Sequence, residues 1–182
     1  KFFIMSAASI VNNVNYNQNL NEQEVKKIHC TYEEIHNLCR ETAVLTSHSF
    51  DPDVILAIGG GGLIPARIIR NVIKKPIYVV SFSSYDDNDT QLDKLREIQW
   101  MDFSNLRDKK ILIVDEIDDT RKTLAYVVNK LVSKESITST NIGIFVVHNK
   151  AKNKCIQLKE MNIGYYQAAR SIPDNWIVYP WD

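Results

Sequence analysis

The chain has 182 residues, 45% of them apolar, and sets 22 Lys plus Arg against 22 Asp plus Glu. That length and apolar content suit one domain with a full hydrophobic core, and the zero formal net charge argues against a dedicated nucleic-acid binder, which carries a basic excess. Cys30, Cys39 and Cys155 show no CxxC pairing, so neither a zinc site nor a disulfide framework is expected. No apolar run approaches the roughly 20 residues of a membrane span, and the first ten residues make a poor signal peptide. A cytoplasmic location, with no membrane partner and no nucleic acid, is the expectation.

Residues 11–23 are rich in Asn and Gln without apolar periodicity, so residues 1–30 are expected to form a loosely ordered N-terminal extension. Thr31 followed by Glu34 is a capping box, and Ile35, Leu38, Cys39 and Thr42 recur at helical spacing, predicting a helix over 32–46. Asp51-Pro52-Asp53 is a turn. A short apolar strand over 54–58 ends in four glycines, Gly59 to Gly62, and a helix over 63–75 follows with Pro65 in its first turn. Residues 77–82 read as a second buried strand, 83–95 as a long polar loop, and 98–103 as a strand beyond it. A third buried strand over 111–114 leads into a helix over 120–132, and a fourth strand covers 142–147. Continuous apolar strands alternating with helices predict an open, mainly parallel sheet covered by helices.

The most informative segment is Ile111-Leu112-Ile113-Val114-Asp115-Glu116-Ile117-Asp118-Asp119-Thr120-Arg121-Lys122-Thr123-Leu124. Four apolar strand residues run into two adjacent carboxylates, then an acidic, hydroxyl-bearing turn, then a helix. In an open parallel sheet, ligands bind beyond the carboxyl ends of the strands. The free N–H groups at the helix start and the helix dipole make an anion site there. The loop from Asp119 to Thr123 is therefore expected to hold a phosphate, with Thr120 and Thr123 as hydroxyl donors and Lys122 as added charge. Asp115 and Glu116 suit two vicinal ribose hydroxyls and a magnesium ion, and suit a developing cation at a ribose carbon. A helix cap needs one acid; four acids in five positions repel one another, which favours a site.

This segment closely resembles the phosphoribosyl pyrophosphate motif of the type I phosphoribosyltransferases: apolar strand, two acids, two variable residues, then Asp-Thr-Gly-x-Thr. The ending Ile172-Pro173-Asp174-Asn175-Trp176-Ile177 through Pro180-Trp181-Asp182 is similar to the base-binding hood of the 6-oxopurine members. Ala57 to Arg67 resembles their pyrophosphate loop, most of all in the fungal-type enzymes. The resemblance implies a phosphoribosyl pyrophosphate-binding α/β core over 31–150 and a small C-terminal hood over 151–182 in the same domain. It implies transfer of a 5-phosphoribosyl group to N9 of a hypoxanthine, guanine or xanthine base, releasing pyrophosphate. It further implies a Mg2+ cofactor, a nucleoside monophosphate product, and a homodimer or homotetramer. The alternative is a non-catalytic sensor of phosphoribosyl pyrophosphate or nucleotide, which would be expected to carry an added nucleic-acid module or to lack Asp119.

Carried over residue by residue, Asp119 matches the acid facing purine N7 and Asp115 with Glu116 the ribose pair. Thr120, Arg121, Lys122 and Thr123 match the phosphate loop. Gly59 and Gly60 match the pyrophosphate loop, helped by Arg67. Ser84 and Tyr85 match the mobile loop that closes over the reacting centre. Lys150, Trp176 and Ile177 match the base-binding residues, and Asp182 an acid near a second metal. Arg121 stands where most of the family has glycine, so a more ordinary backbone is expected there, with its guanidinium free to contact phosphate. Asp118 has no family role and is expected to face solvent or help the metal. Trp176 is expected partly exposed and Trp181 buried.

Overall fold

The computed structural model describes residues 27–85 and 91–182, with backbone alone at 84–85 and 91–94. In chain order the elements are β1 (Lys27–His29), α1 (Tyr32–Ser49), β2 (Val54–Ile58), α2 (Leu63–Ile73), β3 (Ile77–Tyr85), β4 (Gln91–Gln99), β5 (Ile111–Asp118), α3 (Lys122–Ser133), β6 (Ile142–Lys150), α4 (Leu158–Met161), β7 (Tyr165–Ile172) and β8 (Trp176–Val178). Six strands form one sheet in the order β4-β3-β2-β5-β6-β7, parallel except for β4 at the edge, and β1 pairs in parallel with β8 in a separate two-stranded ribbon.

Side-chain alternation along the central strands builds two cores. Val54, Leu56, Ile58, Ile111, Ile113, Ile142 and Ile144 face Leu124, Val127, Val128 and Leu131 of α3. Ile55, Ala57, Leu112, Val114, Phe145 and Val147 face Ile35, Cys39 and Ala43 of α1 and Ala66, Ile69 and Ile73 of α2. Every residue of β2 is buried, which is why its sequence reads as an unbroken apolar run rather than an alternation.

The topology also fixes where a ligand binds. From β2 the chain crosses through α2 to β3 on one side; from β5 it crosses through α3 to β6 on the other. Neighbours β2 and β5 therefore flank the point where strand order reverses, and a crevice opens beyond their carboxyl ends. Gly59 to Gly62 leave β2 at that crevice, and Asp115 to Asp119 leave β5 beside them.

Several expectations change. Residues 27–29 of the expected loose extension form β1, held in the ribbon with β8; residues 1–26 lie outside the described residues. The helix predicted over 32–46 continues to Ser49, on the expected capping box of Thr31 and Glu34. The strand predicted over 98–103 instead runs over Gln91–Gln99, and β3 extends to Tyr85, so most of the expected polar loop is strand. An edge strand gains its hydrogen bonds from its neighbour whatever its polarity, which hid β4 from an apolar-run reading. The boundary at Lys150 does not divide core from hood, because β7 returns to the main sheet beside β6. Trp181 is half-buried rather than buried, stacked on Tyr179 at 4.8 Å between ring centroids.

Candidate functional site

The carboxyl end of β5 carries the acids at graded depth. Asp115 is buried and accepts the Glu116 N–H at 2.9 Å. Burial, reinforced by the Glu116 charge beside it, pushes the Asp115 carboxyl well above the usual carboxylate range. Oε2 of Glu116 is buried with no hydrogen-bond partner among the described residues. Two crowded acids with an unsatisfied oxygen fit a divalent cation or a diol, either of which supplies what the protein groups do not.

The glycine loop lies directly under this pair. A Cβ on Gly61 would stand 2.0 Å from the Glu116 carboxyl carbon, so only glycine lets the carboxylate pack over the loop. Gly60 takes φ +100°, a conformation side chains rarely adopt. Gly59 and Gly60 are thus at the crevice as expected. Arg67 lies one turn into α2, exposed, and its guanidinium donates to Asn71 Oδ1 at 2.7 Å.

The loop expected to hold phosphate departs from expectation at two residues. Helix α3 begins at Lys122, not Thr120, and its N-cap is Arg121 at φ 69°, ψ 5°. Arginine therefore takes the left-handed conformation of the glycine it replaces, at a cost of about 1–2 kcal/mol. Its side chain does not reach out to a phosphate. It is buried, donating through Nε and Nη2 to Asp118 Oδ2 at 3.0 and 2.7 Å and through Nη1 to the Ile156 carbonyl at 3.1 Å. Asp118, expected to face solvent or help the metal, is fully buried as the other half of this pair. Thr120 and Thr123 are half-buried at the loop, and Lys122 is exposed.

Around Asp119 the chain gathers a square of charge. Lys150, buried at the end of β6, places Nζ 3.5 Å from Asp119 Oδ1 and 3.6 Å from Asp174 Oδ1. Lys152 completes it, 3.1 Å from Asp119 Oδ1 and 2.9 Å from Asp174 Oδ2, and the Asp174 and then the Asp119 contact raise its pKa. Lys152 and Asp174 were missed by sequence reasoning. The alternation Lys150-x-Lys152-x-Lys154 was a signal, since the three lysines reach the acids at 118, 119 and 174. A cavity of about 680 Å³ opens beside them, lined by Arg121, Lys150, Lys152, Lys154 and Lys159 among others.

The hood is brought to the same place. Trp176 is 60% exposed on β8, as expected, and Ile177 is buried in the core that also holds α1 and α2. The Tyr179 hydroxyl donates to the Glu116 carbonyl at 3.0 Å and meets Nδ1 of His148 at 2.9 Å, tying the tail to the carboxyl end of β5. Asp182 accepts the Tyr179 N–H at 2.9 Å and so closes its own turn. Among the described residues no group of three or more acids, histidines or cysteines is placed to hold a metal ion. Ser84 and Tyr85 lie in the backbone of β3; their side chains are outside the described residues.

Comparisons with known proteins agree with this arrangement. The model of the phosphoribosyl transferase domain matches residues 31–178. The chain is 41% identical over 184 residues to the hypoxanthine-guanine phosphoribosyltransferase of Schizosaccharomyces pombe, covering 86% of this chain and 89% of that protein. It is 40% identical over 190 residues to xanthine phosphoribosyltransferase 1 of Saccharomyces cerevisiae, covering 87% and 91%. Among solved structures, a hypothetical protein from Neisseria gonorrhoeae with bound ppGpp superposes with a TM-score of 0.73 at 35% identity, covering 86% of this chain and 89% of that one.

Proposed function

The chain belongs to the phosphoribosyl transferase domain family and is a purine phosphoribosyltransferase, and from that premise we propose how its own residues divide the transfer of a phosphoribosyl group to a 6-oxopurine base in salvage. One observation carries the reading: the Lys150 ammonium lies 3.5 Å from the Asp119 carboxylate. On guanine the N7 and O6 atoms stand side by side on one edge, whereas adenine presents an amino group beside N7. Lysine donates and never accepts. Lys150 and Asp119 together are therefore complementary to a 6-oxopurine edge, with Lys150 on O6 and Asp119 taking or returning the N7 proton. An adenine amino group would meet Lys150 donor to donor.

The remaining roles follow from position. Trp176 offers an exposed indole as the flat partner for the base, and Ile177 sits next to it to fix the hood. N9 of the base attacks C1′ of phosphoribosyl pyrophosphate as the bond to pyrophosphate breaks. Asp115 and Glu116 hold the ribose hydroxyls and stabilise the positive charge that develops on the ring. The loop over 119–123 holds the 5′-phosphate, and the backbone of Gly59 and Gly60 approaches the pyrophosphate. Asp115 and Glu116 would hold the magnesium that this family uses with phosphoribosyl pyrophosphate, and that ion would supply charge neutralisation to the departing pyrophosphate. Closure by the segment holding Ser84 and Tyr85 would keep water from the cation-like ribose. No helix among the described residues is long and apolar enough to cross a membrane, and a cytoplasmic homodimer or homotetramer stays part of the proposal.

Ultraviolet-monitored turnover with phosphoribosyl pyrophosphate, magnesium and separate bases tests it. Conversion of hypoxanthine, guanine or xanthine with adenine inert is expected. Equal conversion of adenine would remove Lys150 from the O6 position. No conversion of any base, with phosphoribosyl pyrophosphate still bound, would favour the sensor reading.

A further inference from the structure

Resting on the assignment of 119–123 as the phosphate loop, we infer that residues 154–156 form a strap that, with Asp118 and Tyr166, positions this loop and lets an arginine occupy the glycine place. The strap laces three consecutive carbonyls. Lys154 Nζ donates to the Asp118 carbonyl at 2.5 Å and the Asp119 carbonyl at 2.7 Å, and the Cys155 N–H donates to the Thr120 carbonyl at 3.0 Å. In a planar trans peptide the carbonyl and the following N–H point opposite ways. With the carbonyls of 118, 119 and 120 drawn to the strap, the N–H groups of Asp119, Thr120 and Arg121 are aimed away from it. At Arg121 the chain turns through φ 69° into α3, whose first N–H groups are free by construction. Successive N–H groups around a left-handed residue make an anion cradle.

The Arg121 side chain is part of the same device. Its Nη1 donates to the Ile156 carbonyl, so the strap grips residue 121 by its side chain where it grips 118–120 by their carbonyls. Nε and Nη2 hold Asp118 Oδ2, which also accepts the Tyr166 hydroxyl of β7 at 2.8 Å, while the Tyr166 ring lies 5.5 Å from the guanidinium. Lys154 Nζ stands 3.5 Å from Asp118 Oδ1. Asp118 is fully buried within this set. Two cations that would neutralise phosphate at a surface are thus turned backward, fixing the shape of the loop from behind. Asp118, Lys154 and Tyr166 are positioning residues: they act on phosphate through the backbone.

A mutant cycle separates this from a merely structural ion pair. Asp118→Ala should raise the KM for phosphoribosyl pyrophosphate about tenfold or more, because an arginine released from its clamp relaxes out of the left-handed conformation. The KM for the base should move far less. In an Arg121→Gly background the same Asp118→Ala change should alter the KM by less than about threefold, since glycine holds φ 69° unaided. An equal rise in both backgrounds, or no rise with arginine present, would overturn the inference. Should Asp118→Ala fail to fold, Lys154→Met and Tyr166→Phe carry the test: each should raise the same KM severalfold with folding intact, and silence in both would overturn it. Thr123→Ala is run alongside, since its hydroxyl reports on the loop without the strap. If it weakens phosphoribosyl pyrophosphate and the strap variants do not, the strap alone is refuted. If neither it nor they have an effect, the phosphate-loop assignment has failed and the inference falls with it.

Discussion

Gly61→Ala separates the chemistry of the ribose pair from the stability of the fold. The new Cβ would lie 2.0 Å from Cδ of Glu116, 2.1 Å from Oε2 and 2.5 Å from Oε1. Ordinary carbon contact is about 3.5 Å, so the carboxyl group has to retreat by roughly 1.5 Å. It is the far end of a flexible side chain, and Gly61 is not at positive φ, so rotation of Glu116 absorbs the clash and the backbone stays in place. The fold should be nearly unaffected, since a compatible Gly→Ala change shifts stability by no more than about 1 kcal/mol. Misplacing a group at the reacting centre by about 1 Å, however, costs on the order of a hundredfold. The expected result is a hundredfold loss in kcat/KM for phosphoribosyl pyrophosphate, equivalent to about 2.7 kcal/mol, with a Tm within a few degrees of the parent. Gly62→Ala supplies the contrast: its Cβ would meet the Val114 carbonyl at 2.5 Å and the Ile58 carbonyl at 2.7 Å, both main chain, so Tm itself should drop. Retention of kcat/KM within about threefold in Gly61→Ala would show that Glu116 does not hold the ribose. Unfolding of Gly61→Ala to the extent of Gly62→Ala would show that Glu116 cannot rotate away, and the reasoning from side-chain freedom would fail.

Three further outcomes are expected. Asp119→Asn should lower kcat by roughly a hundredfold or more while phosphoribosyl pyrophosphate still binds, because the amide cannot carry the N7 proton; unchanged turnover in a stopped-flow assay would take Asp119 out of the acid–base role. Trp176→Ala should raise the KM for the base about fivefold or more, the equivalent of a stacking loss near 1 kcal/mol, and leave the KM for phosphoribosyl pyrophosphate alone; an unmoved base KM would displace the hood. Burial, together with Arg170 and against the pull of Glu34, lowers the His148 pKa to about 4 from 6.5. The unfolded chain then binds the extra proton first, so stability should fall as pH drops from about 6.5 toward about 4, by at most about 3 kcal/mol. Thermal unfolding across that range should be flatter in His148→Gln than in the parent, and identical slopes would show that burial does not hold His148 neutral.

The sequence made legible what is local. Strands β2, β5 and the first part of β6 are covered on both faces, so their apolar runs declare them without any knowledge of neighbours. The acids and hydroxyls of 115–123 lie on one strand–turn–helix, and their spacing alone places them at the ligand end of the sheet. Mixed β7 and all of polar β4 before Ile98 were missed because each lies in an edge strand. Ile98 of β4 is 62% exposed, and its neighbours Glu97 and Gln99 register against Phe82 and Ser81 of β3, so its strand character is borrowed from β3. Lys152 and Asp174 were missed for a related reason: they arrive at Asp119 from parts of the chain more than thirty residues away, and a lysine in a basic stretch reads as a solvated one until its partner is placed.

Arg121 shows how a sound local rule fails for a physical cause. By its own preferences an arginine avoids φ 69°, and a solvent-exposed guanidinium near a phosphate loop would turn to the anion. Both expectations assume that nothing else competes for the side chain. Here Asp118, three residues earlier on β5, is sealed from water and needs a cation close by, because a buried carboxylate without one is far costlier than a strained dihedral. The arginine satisfies that need only by folding back, and folding back fixes the backbone angle that glycine would otherwise supply. Asp118 and Arg121 therefore explain each other: the extra acid that had no role in the motif, and the arginine that seemed out of place in it, are one structural solution to the shape of the phosphate loop.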